Sequence, residues 1–149
     1  MTAQERTYRV AQWATGTVGA VALANLIRHP HYELVGVYVY SPAKEGRDAG
    51  ELCGMPATGI KATRSIEAII AARPDCVVYM PESTNLDHVA RLLESGINVV
   101  TTRAEFFNPA MMDQARRAVI EAACARGNSS IHATGSSPGF ITEALPIVL

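Results

Sequence analysis

The sequence predicts an α/β domain: a doubly wound parallel sheet of about six strands with helices on both faces. Two observations carry this. Short apolar runs alternate with helix-length amphipathic stretches along the chain. The runs themselves, such as "LVGVYVY" and "CVVYM", are apolar at nearly every position, as strands covered on both faces are. Parallel strands of that kind are joined by right-handed crossover helices.

Each element follows from local pattern. Tyr8 to Ala14 reads as the first strand and Val18 to Arg28 as its helix, stopped by Pro30. Glu33 to Tyr40 is the second strand, ending at Ser41-Pro42. Ile60 to Thr63 is a weaker third, followed by a helix over Ile66 to Ala72. Asp75 to Met80 is the fourth strand and Leu86 to Ser95 its helix, with Gly96 as the stop. Asn98 to Thr102 is the fifth strand, Pro109 to Arg126 the longest helix, closed by Gly127, and Ser130 to Thr134 the sixth strand. Gly135-Ser136-Ser137-Pro138-Gly139-Phe140 follows, then "ITEALPIVL", which reads as a helix of one or two turns. We expect residues 1–135 to form one domain and 136–149 to begin a second that is missing or truncated here, leaving Phe140, Leu145 and Ile147 exposed.

The 149 residues, 48% hydrophobic and 18% charged, suffice for a domain with a real core and exclude a disordered chain. A net charge of -1, from 13 basic and 14 acidic residues spread along the chain, offers no electrostatic footprint for nucleic acid or a membrane surface. Cys53, Cys76 and Cys124 are odd in number and far apart, without the spacing of a zinc site, and read as reduced thiols. The N-terminus lacks the build of a signal peptide, and no apolar stretch nears the roughly 18 to 20 residues of a membrane span. A cytoplasmic protein is expected, its partners small molecules or other protein chains.

The first strand runs into Ala14-Thr15-Gly16-Thr17-Val18-Gly19, and the next helix begins there. A dinucleotide-binding turn needs three things in that place: a tight turn off the strand, bare backbone where the pyrophosphate sits, and a small residue where helix meets strand. Gly16 and Gly19 supply the last two, with the helix N-terminal amides facing the phosphates and Thr15 and Thr17 as possible hydroxyl donors. Ala14 stands where the first glycine is usual, which is tolerable only if that position keeps a negative φ. The same turn would also serve as mere connection geometry. A P-loop is excluded for lack of Gly-Lys-[Ser/Thr].

An NAD-preferring domain carries Asp or Glu at the end of the second strand, on the adenosine ribose. Here the strand ends Val39-Tyr40-Ser41-Pro42-Ala43-Lys44. Ser41 as donor, with Lys44 or Arg47 as counter-charge, would accept the 2′-phosphate of NADP, so NADP is expected to bind at least as well as NAD. As single surface cations, Lys44 and Arg47 also read as solvated loop residues.

These stretches carry a resemblance. "VAQWATGTVG", "LVGVYVYSPAKEGRDAGELCG", "VVTTRAEFFNP" and "GSSPGF" are similar to the N-terminal domain of the dihydrodipicolinate reductase-like oxidoreductases, nearest the branch with 2,4-diaminopentanoate dehydrogenase and related amine dehydrogenases. The resemblance covers essentially the whole chain; "GRDAGEL" and "SPGF" are its more specific parts. It implies a Rossmann domain binding NAD(P), followed by a mixed α/β domain that supplies most substrate contacts and the interface of a homo-oligomer. It also implies hydride transfer that reduces a C=N or C=C bond or oxidises an amine. Ala14 departs from the glycine usual in that family.

In an open parallel sheet the ligand lies outside the carboxyl ends of the strands. The loops there hold Pro81-Glu82-Ser83, Thr101-Thr102-Arg103-Ala104-Glu105 and Thr134-Gly135-Ser136, whose carbonyls and hydroxyls can hold the nicotinamide carboxamide. Glu105 is the candidate catalytic residue, a carboxylate able to hold an ammonium or iminium group, and it resembles the acid that the amine-dehydrogenase branch places in this loop. It reads equally as a helix N-terminal acid before Pro109; Glu82 is the weaker alternative. The four histidines lack metal-ligand spacing, and His132 reads as a sheet residue. Ser136 and Ser137 form no nucleophile elbow. The leading function is the NAD(P)-binding part of an oxidoreductase acting on an imine- or amine-type substrate; the alternative is a non-catalytic dinucleotide-binding sensor or interaction module.

Overall fold

Strands form where β-branched and aromatic residues cluster: β1 (Tyr8–Trp13), β2 (Tyr32–Tyr38), β3 (Ala62–Thr63), β4 (Cys76–Tyr79), β5 (Asn98–Thr101) and β6 (Ile131–Ala133). Their order is β3-β2-β1-β4-β5-β6. The pairings of β1 with β2 and β4, of β2 with β3, and of β5 with β6 are parallel. Helices α1 (Thr17–Arg28), α2 (Ala49–Leu52), α3 (Ile66–Ala71), α4 (Leu86–Glu94) and α5 (Gln114–Gly127) connect them. This is the doubly wound, Rossmann-like arrangement, and its strand order reverses between β1 and β4. The computed structural model describes residues 6–137 and, beyond them, Gly139, Thr142 and Ile147, the last 83% exposed. Pro138, Phe140 and Leu145, and the helix expected over "ITEALPIVL", lie outside the described residues.

The chain divides into two compact units, Met1–Glu82 and Ser83–Leu149. In the first, Leu23 of α1 packs with Val37, Val39, Ala49 and Ala62 on one face of the sheet. On the other face Ile69 of α3 presses on Gly36, where an added Cβ would lie 2.9 Å from Ile69 Cδ1. At the carboxyl ends of the strands Trp13 pairs in register with Tyr38 on one side and Tyr79 on the other. The Trp13 and Tyr38 rings stack at 3.7 Å, and the indole Nε1 donates to the Tyr40 hydroxyl at 3.0 Å. An aromatic row therefore anchors the end of the sheet where the turn begins.

In the second unit α4 buries Val89, Ala90, Leu92 and Leu93, and α5 buries Ile120 and Ala123. The expected long helix from Pro109 is two pieces. Asn108 caps a 3-10 turn over Pro109–Met111, and α5 starts only after Asp113, whose carboxylate accepts from the Arg116 amide at 3.0 Å. Gly127 does not close α5: it is the last helical residue, kept without a side chain because a Cβ there would stand 1.8 Å from the Leu93 carbonyl oxygen, and Asn128 is the left-handed cap. Gly96, with φ +79, does end α4 as its position implies.

Candidate functional site

β1 delivers the chain to Ala14, which has φ +71 and so lies in the left-handed region. The expectation of a negative φ there is corrected, and the neighbours give the reason. The Ala14 amide donates to Tyr38 O at 2.9 Å, and its carbonyl accepts from the Gln12 side-chain amide at 2.9 Å. Held from both sides, Ala14 keeps a conformation that costs an L-residue roughly 1–2 kcal/mol. The fingerprint position thus makes the turn a glycine would make.

Gly16 and Gly19 have different jobs. A Cβ on Gly19 would lie 2.3 Å from Ala14 O and 3.2 Å from Gln12 Nε2, so no side chain fits where α1 meets β1. A Cβ on Gly16 would meet nothing within 4 Å, and Gly16, Thr17 and Val18 are all exposed. The protein's own packing does not require a glycine at 16; bare backbone there suits a ligand. The N-termini of α2, α3, α4 and α5 are capped by Asp48, Ser65, Asn85 and Asp113, whereas α1 has no side-chain cap and no acid in its first turn. Its leading amides are open to an anion, which the helix dipole favours. This cradle fits a pyrophosphate.

The loop after β2 closes on the same turn. A 3-10 turn over Pro42–Lys44 brings Lys44 Nζ to Thr15 O at 2.7 Å and Thr15 Oγ1 at 3.2 Å. Thr15 is buried, with its hydroxyl oxygen engaged by Lys44, while Thr17 is exposed. Ser41 is also exposed and makes no capping bond. Arg47 points elsewhere, donating to Glu51 Oε1 at 2.8 and 3.1 Å. Of the two cations expected to serve one phosphate, Lys44 stands on the turn and Arg47 is paired one helical turn along. Beyond β4, Pro81 is buried and Glu82 exposed.

The stretch "GRDAGEL" proves to be a structural knot. Asp48 caps α2 through Gly50 N at 2.9 Å and gathers Thr58 N at 2.8 Å, Thr58 Oγ1 at 3.2 Å and Gly59 N at 2.9 Å. The Thr58 backbone bond leads in holding its carboxyl below the usual carboxylate range. Gly50 leaves no room for a side chain, since a Cβ would lie 1.9 Å from Pro56 O.

In the second unit β5 ends on Thr101, which is fully buried and accepts the Arg103 amide on Oγ1 at 3.1 Å; Thr102 is exposed. Glu105 follows in a 3-10 turn over Ala104–Phe106. Its Oε1 accepts the Thr84 hydroxyl and Arg103 Nε at 3.3 Å, and Arg103 Nε also reaches Thr84 Oγ1 at 3.2 Å. Partial burial works to raise the Glu105 carboxyl, but the Thr84 hydroxyl, its own amide and the Arg103 guanidinium together hold it below the usual range. Glu105 is therefore ionised at neutral pH, a counter-ion rather than a base poised near pH 7. It borders an open cleft of about 660 Å3 lined also by Ala104, Phe107, Met111 and Met112. Asn108, Ser137 and Thr142 also line it, but the wall is mainly apolar, and a carboxylate there can hold an ammonium group that carries an apolar substituent.

Sequence reasoning missed Gln12, Thr84 and the role of Arg103. A glutamine within the apolar run "VAQWA" was a visible signal; the partnership of Thr84 with Glu105 was not, because 21 positions separate them. Cys53, Cys76 and Cys124 carry thiols rather than disulfides, and burial pushes those of Cys53 and Cys124 up, away from nucleophilic use. His132 is exposed on β6. Among the described residues no cluster could hold a metal ion, and no helix is long and apolar enough to cross a membrane.

Comparison with known proteins agrees with this fold. Residues 13–133 match the family described as dihydrodipicolinate reductase, N-terminus. The chain is 37% identical over 145 residues to an amine dehydrogenase of Streptomyces virginiae, covering 92% of this chain and 40% of that protein. The chain thus spans well under half of that relative. Among solved structures, an amine dehydrogenase from Mycobacterium smegmatis superposes with a TM-score of 0.79 at 22% identity, over 86% of this chain and 39% of its own. GenD2 from gentamicin A biosynthesis, in complex with NAD, gives 0.64 at 19% identity, over 89% of this chain and 35% of its own. At these identities the structural matches speak for the fold.

Proposed function

The chain belongs to the dihydrodipicolinate reductase N-terminal family, and from that premise we propose that it is an NAD(P)-binding domain of an oxidoreductase, binds NADP at least as well as NAD and serves hydride transfer to or from an amine- or imine-type substrate. The observation that carries the cofactor preference is Lys44: its ammonium lies on the phosphate turn, beside a β2 end that carries Tyr40 and Ser41 instead of an acid. The uncapped start of α1, with Gly16 bare, holds the pyrophosphate, and Thr17 adds a hydroxyl. Ser41 and Lys44 receive the 2′-phosphate; Arg47 joins them only by leaving Glu51, an exposed pair that is weakly held. Pro81 and Glu82 serve the nicotinamide end of the crevice.

When bound, the dinucleotide supplies the hydride chemistry itself. The chain's own part is to bind, orient and manage charge. In the second unit Glu105 holds the substrate's ammonium, the apolar cleft wall takes its substituent, and exposed Thr102 offers a hydroxyl. The full enzyme is a cytoplasmic homo-oligomer in which further chain completes the substrate contacts; three cysteines held as thiols suit a reducing compartment.

The test is a calorimetric titration of this chain with NADPH and with NADH, repeated on Lys44→Gln. NADPH binds at least as tightly as NADH, and the substitution weakens NADPH about tenfold, the scale of one charge-assisted hydrogen bond, with little change for NADH. Tighter NADH, or equal losses for both, overturns the assignment of Lys44.

A further inference from the structure

Gln12 sits fully buried in β1 between Ala11 and Trp13, both also without exposure. Its Nε2 lies 2.9 Å from Ala14 O and 3.3 Å from Trp13 O, two carbonyls that only a donor can satisfy, so the amide's orientation is set. Its Oε1 is buried with no hydrogen-bond partner among the described residues. An amide with half its capacity unmet is a poor choice for filling a core, where Met or Leu would occupy the same volume without that cost. What the other half of the amide grips is the one residue of the turn whose backbone is out of the ordinary for its type, Ala14 at φ +71. Glycine reaches that region without steric cost; alanine does not.

Resting on the dinucleotide-binding reading, we infer that Gln12 is a positioning residue of the phosphate turn: its side-chain amide holds the Ala14 carbonyl in the left-handed conformation and stands in for the glycine this turn lacks. Gly19 belongs to the same device, because a Cβ there would press on both Ala14 O and Gln12 Nε2. Without the amide Ala14 relaxes toward negative φ, and the peptides that follow, through Gly16 into α1, no longer aim their amides together.

A double-mutant cycle of Gln12→Met and Ala14→Gly in this chain tests it, read by urea unfolding, by NADPH calorimetry and by the NMR chemical shifts of Ala14. Gln12→Met weakens NADPH about five- to tenfold and moves the Ala14 shifts away from left-handed values; adding Ala14→Gly restores the affinity to within about twofold. Ala14→Gly stabilises the Gln12→Met chain less than it stabilises the parent, because relaxation of the turn has already released part of the left-handed strain. If Gln12→Met does not fold, Gln12→Asn, whose amide is one methylene too short, takes its place in the cycle. Additive stabilities, unaltered NADPH affinity, or a loss that Ala14→Gly does not repair each overturn the inference. A parent chain that binds no dinucleotide fails the functional reading instead, and the unfolding cycle still decides whether Gln12 clamps the turn.

Discussion

A methyl group at Gly19 would stand 2.3 Å from a backbone oxygen, whereas one at Gly16 would meet nothing within 4 Å. Gly19→Ala is therefore expected to destabilise the fold by about 1–3 kcal/mol, as overpacking does, in a urea unfolding experiment. Gly16→Ala leaves stability within about 0.5 kcal/mol but weakens NADPH, because only a ligand needs that surface bare. Glu105 invites a similar separation of roles. With its carboxyl held low, it is charged at pH 7, and Glu105→Gln is expected to weaken binding of an apolar primary amine probe such as cyclohexylamine at least tenfold, followed by NMR shifts of the Met111 and Met112 methyl groups. Equal binding by the variant would remove the carboxylate from that role. At this scale the sequence named Gly16, Gly19 and Glu105 from local spacing. It could not name the φ of Ala14, which is set by Gln12 and Tyr38 closing on it in space.

Helix α2 and the loop behind it depend on one carboxylate. Both Asp48 oxygens accept from N–H or O–H groups, so Asn at this position would turn an amide donor toward donors. Asp48→Asn is expected to lower the melting temperature without touching the phosphate turn. The pH dependence follows from the direction of the shift: the folded carboxyl lies below its unfolded value, so this contribution is complete above about pH 4 and is lost as pH falls through the folded pKa. Thermal melts should show the parent losing stability in acid more steeply than Asp48→Asn. Element type was legible along most of the chain because the two hydrophobic periods differ plainly. Boundaries were less so: Asn108-Pro109 and Asp113 are both sound helix starts, and the one that begins α5 is Asp113. The four-residue α2 was invisible, since its cap reaches ten and eleven residues ahead to Thr58 and Gly59.

At the scale of the whole molecule, a ligand that binds only the folded chain must raise its stability. NADPH at about one hundred times its Kd should add about 2.7 kcal/mol, seen as a higher melting temperature, and NADH at the same concentration no more than that. No upward shift with either dinucleotide, at concentrations where calorimetry detects binding, would mean that the ligand also binds unfolded chain. By itself the sequence determined the kind of fold and the address of the turn, because alternating strand and helix periods and a glycine pair between the first strand and helix are local properties of the chain. Only the tertiary structure decided which groups meet there: that Lys44 reaches Thr15 while Arg47 turns to Glu51, that Thr84 and Arg103 hold Glu105 ionised, and that Gln12 grips a left-handed alanine. Those contacts join residues that are distant in sequence or oriented by the register of neighbouring strands, and pairing of that kind is settled by packing rather than by pattern.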